Sequence, residues 1–63
     1  MQKTIQLNPA EPLIMRCAEG WYPIESIVGI PLKDQAKHQG EINDHVLRVE
    51  DRHGVVLWER IIH

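Results

Sequence analysis

The sequence predicts a mainly β fold: a small antiparallel sheet or a partly open barrel that ends in a C-terminal β-hairpin. Residues 45–49 and 55–60 are rich in β-branched and aromatic types, and they flank Asp51-Arg52-His53-Gly54, a combination typical of a turn. Near the start, residues 4–8 alternate polar and apolar side chains, which indicates a half-buried strand. The alternative is an α+β fold, with one helix packed on a three-stranded sheet.

Residues 13–18 are predicted to form a second strand, with Leu13, Met15 and Cys17 on one face, and a turn follows at residues 19–20. Residues 21–31 allow two interpretations. A short helical turn could begin at Pro23, because proline is tolerated at the first helical position. In a strand, Pro23 would have to lie at an edge or a bulge.

Residues 32–44 are mostly polar, and Gly40 interrupts them. We interpret this segment as an exposed polar loop or a frayed helix, since few apolar residues are available to pack against a core.

The C-terminal hairpin allows its register to be predicted from burial. If Glu50 lies opposite Val55, one face of the ribbon is entirely apolar and consists of Leu47, Val49, Val56 and Trp58. If Asp51 lies opposite Val55, both faces mix apolar and charged residues. Burial of one face selects the register, so we predict the first pairing and a core position for Trp58.

With 63 residues, the chain is expected to be a complete gene product that forms a single small domain, with a core too small for much intrinsic stability. Its one cysteine excludes an internal disulfide and fits a reducing compartment. The formal net charge of −2 favours neither nucleic acid nor anionic membrane as a partner. Because we find neither a membrane-spanning run nor a secretory signal, we expect a cytoplasmic protein.

No residue pattern indicates catalysis, a metal or another cofactor. The histidines lack the close pairwise spacing of zinc ligands; they are His38, His45, His53 and His63. The charged cluster at residues 50–53 sits on a hairpin turn, which offers no cleft to exclude water. Cys17 fits a small buried apolar residue better than a nucleophile. We therefore predict a protein that is not an enzyme.

The candidate partner-binding residues are apolar or aromatic side chains that the core does not obviously require, together with one arginine. Trp21 and Tyr22 are adjacent, so on a strand they point to opposite faces and one can stay exposed. The others lie on the second face of the hairpin or at its end: Arg48, Leu57, Ile61 and Ile62. They predict an interaction module that forms a homodimer or docks to a protein partner. A regulator that binds nucleic acid through a local patch is the alternative.

Overall fold

The computed structural model describes residues 11–61, which form four strands and one helix. In chain order they are β1 (Pro12–Cys17), β2 (Gly20–Glu25), α1 (Leu32–Ile42), β3 (Val46–Glu50) and β4 (Val56–Glu59). The strands form one antiparallel sheet in the order β2-β1-β3-β4, and the sheet does not close into a barrel. The prediction of a small, mainly β fold with a C-terminal hairpin is confirmed, whereas the strand predicted at residues 4–8 lies outside the described residues.

The ambiguous segment after the first turn is a strand, so the helical interpretation of residues 23–28 is wrong. β2 pairs with β1 without a register shift, from Pro12 opposite Glu25 to Cys17 opposite Gly20. Pro23 lies in the middle of β2, at the edge of the sheet, where a proline nitrogen that faces outward removes no ladder hydrogen bond. Pairing with β1 outweighs the local helix-start signal.

Of the two interpretations of residues 32–44, the loop is wrong and the helix is correct, because α1 spans Leu32–Ile42. The helix begins after Pro31, whose carbonyl oxygen accepts hydrogen bonds from the backbone N–H groups of Asp34 and Gln35. Leu32, Ala36 and Gly40 recur every four residues on the side that packs against the sheet. Two of the three residues in this stripe, Ala36 and Gly40, are small. The segment therefore contains few large apolar side chains, and its sequence pattern looks polar.

The crossover from β2 to α1 is held by the side chain of Gln35. Its Oε1 accepts a hydrogen bond of 2.6 Å from the backbone N–H of Ile27. Its Nε2 donates to the carbonyl oxygens of Ile27 at 2.9 Å and of Ile30 at 2.7 Å. The amide therefore satisfies backbone groups that would otherwise lack a strand or helix partner.

The core lies between α1 and one face of the sheet. Its fully buried apolar residues come from three elements, and they are Leu13, Met15, Ala36, Val46 and Val49. Cys17, Leu57 and Trp58 are partly buried against this cluster. The shared face predicted for Leu13, Met15 and Cys17 is confirmed, and so is the packing of Trp58 against the core.

The predicted register of the C-terminal hairpin is wrong. Glu50 lies opposite Val56, and Val49 lies opposite Trp58, with a bulge between the two pairs. At the turn, Asp51 N–H donates to Val55 O at 2.9 Å, and Gly54, at φ 85°, donates to Asp51 O at 3.1 Å. This is a three-residue loop with a left-handed glycine. Loop length and turn type fix which residues pair next to a hairpin turn, so the loop determines the register there whichever face is buried.

Strand β3 also pairs irregularly on its other side. Arg16 lies opposite Arg48 and Cys17 lies opposite Val46, so Leu47 is an extra residue at a bulge. Val46 and Val49 therefore both face the core although they are three residues apart. The prediction that Leu47 lies on the buried face is wrong: Leu47 is exposed, and Val46 is fully buried.

The C-terminal end of α1 is tied to the sheet by Arg60. Its Nη2 donates to the carbonyl oxygens of Gly40 at 2.6 Å and of Asn43 at 3.1 Å, and its Nε donates to Val46 O at 2.9 Å. The guanidinium carbon also lies 5.0 Å from the centroid of the Trp58 ring. The Arg60 guanidinium thus stabilises the C-terminal end of α1 by donating to its carbonyl groups, and it joins this end to β4 by stacking on the Trp58 ring.

Candidate functional site

The second face of the sheet is not covered by any other element among residues 11–61, and we call it the open face. Helix α1 packs on the opposite face, which carries the buried apolar side chains of β1 and β3. Alternation along the strands places two cross-strand rows of side chains on the open face. The first row is Trp21, Arg16, Arg48 and Glu59, and the second row is Pro23, Ile14, Glu50 and Val56.

A buried carboxylate joins the two central arginines of the open face. Arg16 donates from Nε to Glu50 Oε1 at 3.2 Å, and its Nη2 lies 3.2 Å from the same oxygen. Arg48 Nε lies 2.6 Å from Glu50 Oε2, as an ion pair rather than an aligned hydrogen bond. The Glu50 side chain is only 7% exposed, whereas those of Arg16 and Arg48 are 42% and 41% exposed.

The charge state of this cluster follows from its geometry. Burial alone raises the pKa of Glu50, but the hydrogen bond and charge of Arg16, together with the charge of Arg48, outweigh it. The pKa of Glu50 is therefore held below its ordinary value of 4.5, and the carboxylate is ionised at neutral pH. Arg16, Arg48 and Glu50 together carry a charge of +1. Glu59 lies opposite Arg48 in the first row, but within residues 11–61 it forms no ion pair with it.

Trp21 stands at the β2 end of the first row. It is 59% exposed, and the guanidinium carbon of Arg16 lies 6.0 Å from the centroid of its ring. Both residues line an open groove of about 510 Å³ that continues to Arg48 and Glu59. They also line a second groove of about 340 Å³, beside Glu50. Trp21 and Arg16 thus form the wall between two grooves on the same face.

The structure brings together only two of the six predicted partner-binding residues. Trp21 and Arg48 line the same groove. Tyr22 lies on the helix side of the sheet, where its hydroxyl is 2.8 Å from His45 Nε2 and the two rings stack. Leu57 packs against the core, so it is not a free surface residue.

The last two predicted residues follow β4. Ile61 is 78% exposed, and Ile62 lies outside the described residues. The sequence reasoning missed Arg16, and it considered Glu50 in the charged cluster of the hairpin turn and opposite Val55, but not as part of a binding surface. Arg16, Arg48 and Glu50 do alternate with apolar residues on their strands, but their contact depends on the β1–β3 pairing, which the sequence does not reveal.

Other kinds of site were sought in the same part of the chain. Residues 11–61 contain no group of three or more histidine, cysteine or acidic side chains placed to hold a metal ion. The helix they contain is not long and apolar enough to cross a membrane. Comparisons with protein-family models, curated proteins and solved structures found no match.

Proposed function

We propose that this protein is a small non-enzymatic interaction module that binds a protein partner through the open face. The observation that carries the proposal is the cross-strand row in which the exposed Trp21 stands beside Arg16 and Arg48. Tryptophan and arginine are the residue types most enriched among those that dominate binding energy at protein interfaces. The neighbouring row adds the apolar side chains of Ile14, Pro23 and Val56.

The charges of the open face favour a partner with an acidic side chain among apolar ones. The cluster of Arg16, Arg48 and Glu50 carries a charge of +1, because Glu50 neutralises only one of the two arginines, and Glu59 opposite Arg48 forms no ion pair with it within residues 11–61. A second copy of the chain is a poorer match, since a two-fold axis through this cluster would bring the arginine pair against itself. The single cysteine fits a partner in the cytoplasm.

Binding can be tested without a known partner by selecting peptides from a random displayed library against the purified protein. We expect the selected peptides to combine Asp or Glu with apolar residues. Their affinity should fall about tenfold or more with Trp21→Ala, as is usual when a dominant interface residue is truncated. Lys37→Ala is the matched control, because Lys37 is exposed on α1, on the other side of the sheet.

Two results would overturn the proposal. One is a set of selected peptides that bind Trp21→Ala as tightly as the unmodified chain. The other is a dimer, detected by light scattering, that Trp21→Ala dissociates, because the open face would then be occupied by a second copy. A dimer that survives the substitution would instead place self-association on another surface, and the exposed Ile61 would be the first residue to examine.

A second candidate function is binding of single-stranded nucleic acid, which the Trp21–Arg16 contact favours because an exposed indole beside an arginine can stack on a base. Glu19 and Glu59 line the same groove and oppose phosphate groups. Anisotropy of labelled oligonucleotides at low salt tests this function. Salt-sensitive binding that Trp21→Ala abolishes would support it, and no binding at low salt would exclude it.

A further inference from the structure

We propose that Arg16 and Arg48 together form a binding site for one carboxylate group, and that Glu50 is its positioning residue. The inference rests on the proposed function in one respect, because the carboxylate is taken to be a side chain or chain end of the protein partner. It adds a chemical group and a geometry to that function. The argument uses the cross-strand position of the two arginines, their unused donors and the acidic rim of the groove.

The two arginines lie directly opposite each other on neighbouring strands. Like charges in this position destabilise a sheet, and a nearby anion offsets the repulsion. Glu50 provides one negative charge for two positive ones. One further monoanion bound between the two arginines would therefore neutralise this three-residue cluster, since Glu59, although opposite Arg48, forms no ion pair with it within residues 11–61.

Glu50 uses only part of the donor capacity of each arginine. It contacts Nε and Nη2 of Arg16 and Nε of Arg48. Within residues 11–61, Arg16 Nη1 and both terminal nitrogens of Arg48 have no hydrogen bond or ion pair. Each guanidinium carries five N–H donors in a planar fork that matches a carboxylate. These two half-exposed forks line the groove of about 510 Å³.

The site is organised before a ligand arrives. The buried Glu50 carboxylate holds both guanidinium groups from below, and the Trp21 ring flanks Arg16 from the side. Long arginine side chains otherwise lose considerable conformational freedom on binding. The almost fully buried Glu50 carboxylate thus restricts the conformations of Arg16 and Arg48, and these two side chains contact the ligand.

The rim of the groove favours a carboxylate over a phosphate. Glu19 and Glu59 line the same groove as the two arginines. A phosphate monoester carries a charge of about −1.5 to −2 at neutral pH, so these acidic groups repel it more than they repel a singly charged carboxylate. The partner group is therefore an acidic side chain or a C-terminal carboxylate.

The test is an NMR titration of ¹⁵N-labelled protein at constant ionic strength, observing the Nε–H signals of Arg16 and Arg48. The probe is N-acetylglycine, and N-acetylglycinamide is its uncharged control. We expect saturable shifts with the acid and none with the amide. Arg48→Lys keeps the charge but loses the planar fork, so it should weaken binding about tenfold. Lys37→Gln removes a charge from the exposed side of α1, on the other side of the sheet, and should change binding little.

Glu50→Gln gives the sharpest result, because two explanations predict opposite signs. If only net charge mattered, removing this anion would strengthen binding of the probe. If Glu50 positions the arginines, binding weakens although the site becomes more positive. Stronger binding by Glu50→Gln would overturn the positioning role. If that variant does not fold, the Arg48→Lys result decides whether the fork geometry matters.

The remaining outcomes separate this inference from the proposed function. Saturation by inorganic phosphate but not by N-acetylglycine would overturn the choice of carboxylate, and saturation by neither would overturn the site. Selected peptides that lose affinity with Trp21→Ala but not with Arg48→Gln would keep the docking function and reject the carboxylate site. Binding of N-acetylglycine at Arg48, combined with selected peptides whose affinity does not change with Trp21→Ala, would keep the carboxylate site and reject the docking function.

Discussion

Gly40 of α1 lies so close to the indole of Trp58 on β4 that no side-chain carbon fits between them. A Cβ atom placed on Gly40 would overlap the six-membered ring of the Trp58 indole. Glycine costs about 1 kcal/mol relative to alanine inside a helix, so its presence here reflects packing rather than helix propensity. The absent side chain lets the helix axis approach the end of the sheet.

Gly40→Ala should therefore lower the free energy of unfolding, although alanine is the better helix former. Overpacking of a tight contact typically costs about 1–3 kcal/mol, which exceeds the propensity gain of about 1 kcal/mol over most of that range. Urea denaturation measures the change, with the exposed Lys37→Ala on the same helix as control. A stabilised Gly40→Ala would mean that the Trp58 ring moves away easily, and Trp58→Leu should then make no difference to its effect.

Arg60→Gln should destabilise the fold, because Gly40 O, Asn43 O and Val46 O would lose a charged donor together. Asn43 O keeps the backbone N–H of Val46 as a donor, but a carbonyl group left unpaired costs about 1–3 kcal/mol, and loss of the stacking on Trp58 adds to this. Arg52→Gln removes the same charge from an exposed turn and should stay within about 0.5 kcal/mol. Equal effects of the two substitutions on the urea midpoint would rule out a special role for Arg60.

Glu50→Gln should lower stability at neutral pH by about 1–3 kcal/mol, since it removes the anion that the half-exposed Arg16 and Arg48 share. The folded-state pKa of Glu50 lies below the ordinary 4.5, so its contribution is present above pH 4.5 and is lost as the pH falls through the folded-state pKa. The stability gap between the two proteins should consequently narrow in acid.

The effect of Glu50→Gln is measured at each pH as the difference in the free energy of unfolding between the variant and the unmodified protein. Hydrogen bonds from the backbone N–H groups of Val55 and His53 also lower the pKa of Asp51, which titrates in the same acid range in both proteins. Denaturation curves from pH 7 down to pH 3 measure the gap. A gap that stays constant below pH 4.5 would contradict the assigned charge state.

Gly54→Ala should destabilise the C-terminal hairpin by about 1–2 kcal/mol, because Gly54 has φ 85° and this left-handed conformation is costly for residues with a Cβ atom. Gly54→Asn should cost less, since asparagine tolerates the same conformation. A Cβ atom at this position would meet no other atom within 4 Å, so a steric clash does not confuse the result. Equal thermal stabilities of the two variants would argue against the backbone explanation.

The two tryptophans should respond differently to truncation. Trp58→Ala removes a ring packed against the core and should cost about 2–4 kcal/mol, whereas the exposed Trp21→Ala should stay within about 0.5 kcal/mol. Urea denaturation of both variants gives the comparison. A large loss for Trp21→Ala would show that this residue supports the fold, which would weaken its assignment to partner binding.

The sequence predicts the strands better than it predicts their pairing. Leu13 and Met15 mark the buried face of β1 by alternation alone, and the turn at residues 51–54 is recognised from its Asp and Gly. The register prediction failed because two features displace β4 relative to β3. The loop with the left-handed Gly54 places Glu50 opposite Val56 instead of Val55, and the extra residue Leu57 then places Val49 opposite Trp58 instead of Val56. A pattern that assumes regular pairing cannot account for a bulge.

The helix was predicted only as an alternative to a loop, and part of the candidate site was missed, for related reasons. α1 packs through the small residues Ala36 and Gly40, which contribute little to an apolar pattern but permit a close approach. Trp21 and Arg48, two of the predicted residues, line one groove, whereas Arg16 was not predicted. Its role arises from strand order, which places β1 between β2 and β3 and is a property of the tertiary fold.

The three hydrogen bonds of Gln35 make the crossover and the first turns of α1 a single cooperative unit. If the backbone at Ile27 and Ile30 separates from the helix, the hydrogen bonds of the Gln35 side-chain amide break. If the Gln35 amide moves away, these backbone groups lose their hydrogen-bond partners. Transient opening of this corner should therefore be all-or-none. The backbone amides of Ile27, Asp34 and Gln35 would then exchange with solvent deuterium at a common free energy of opening.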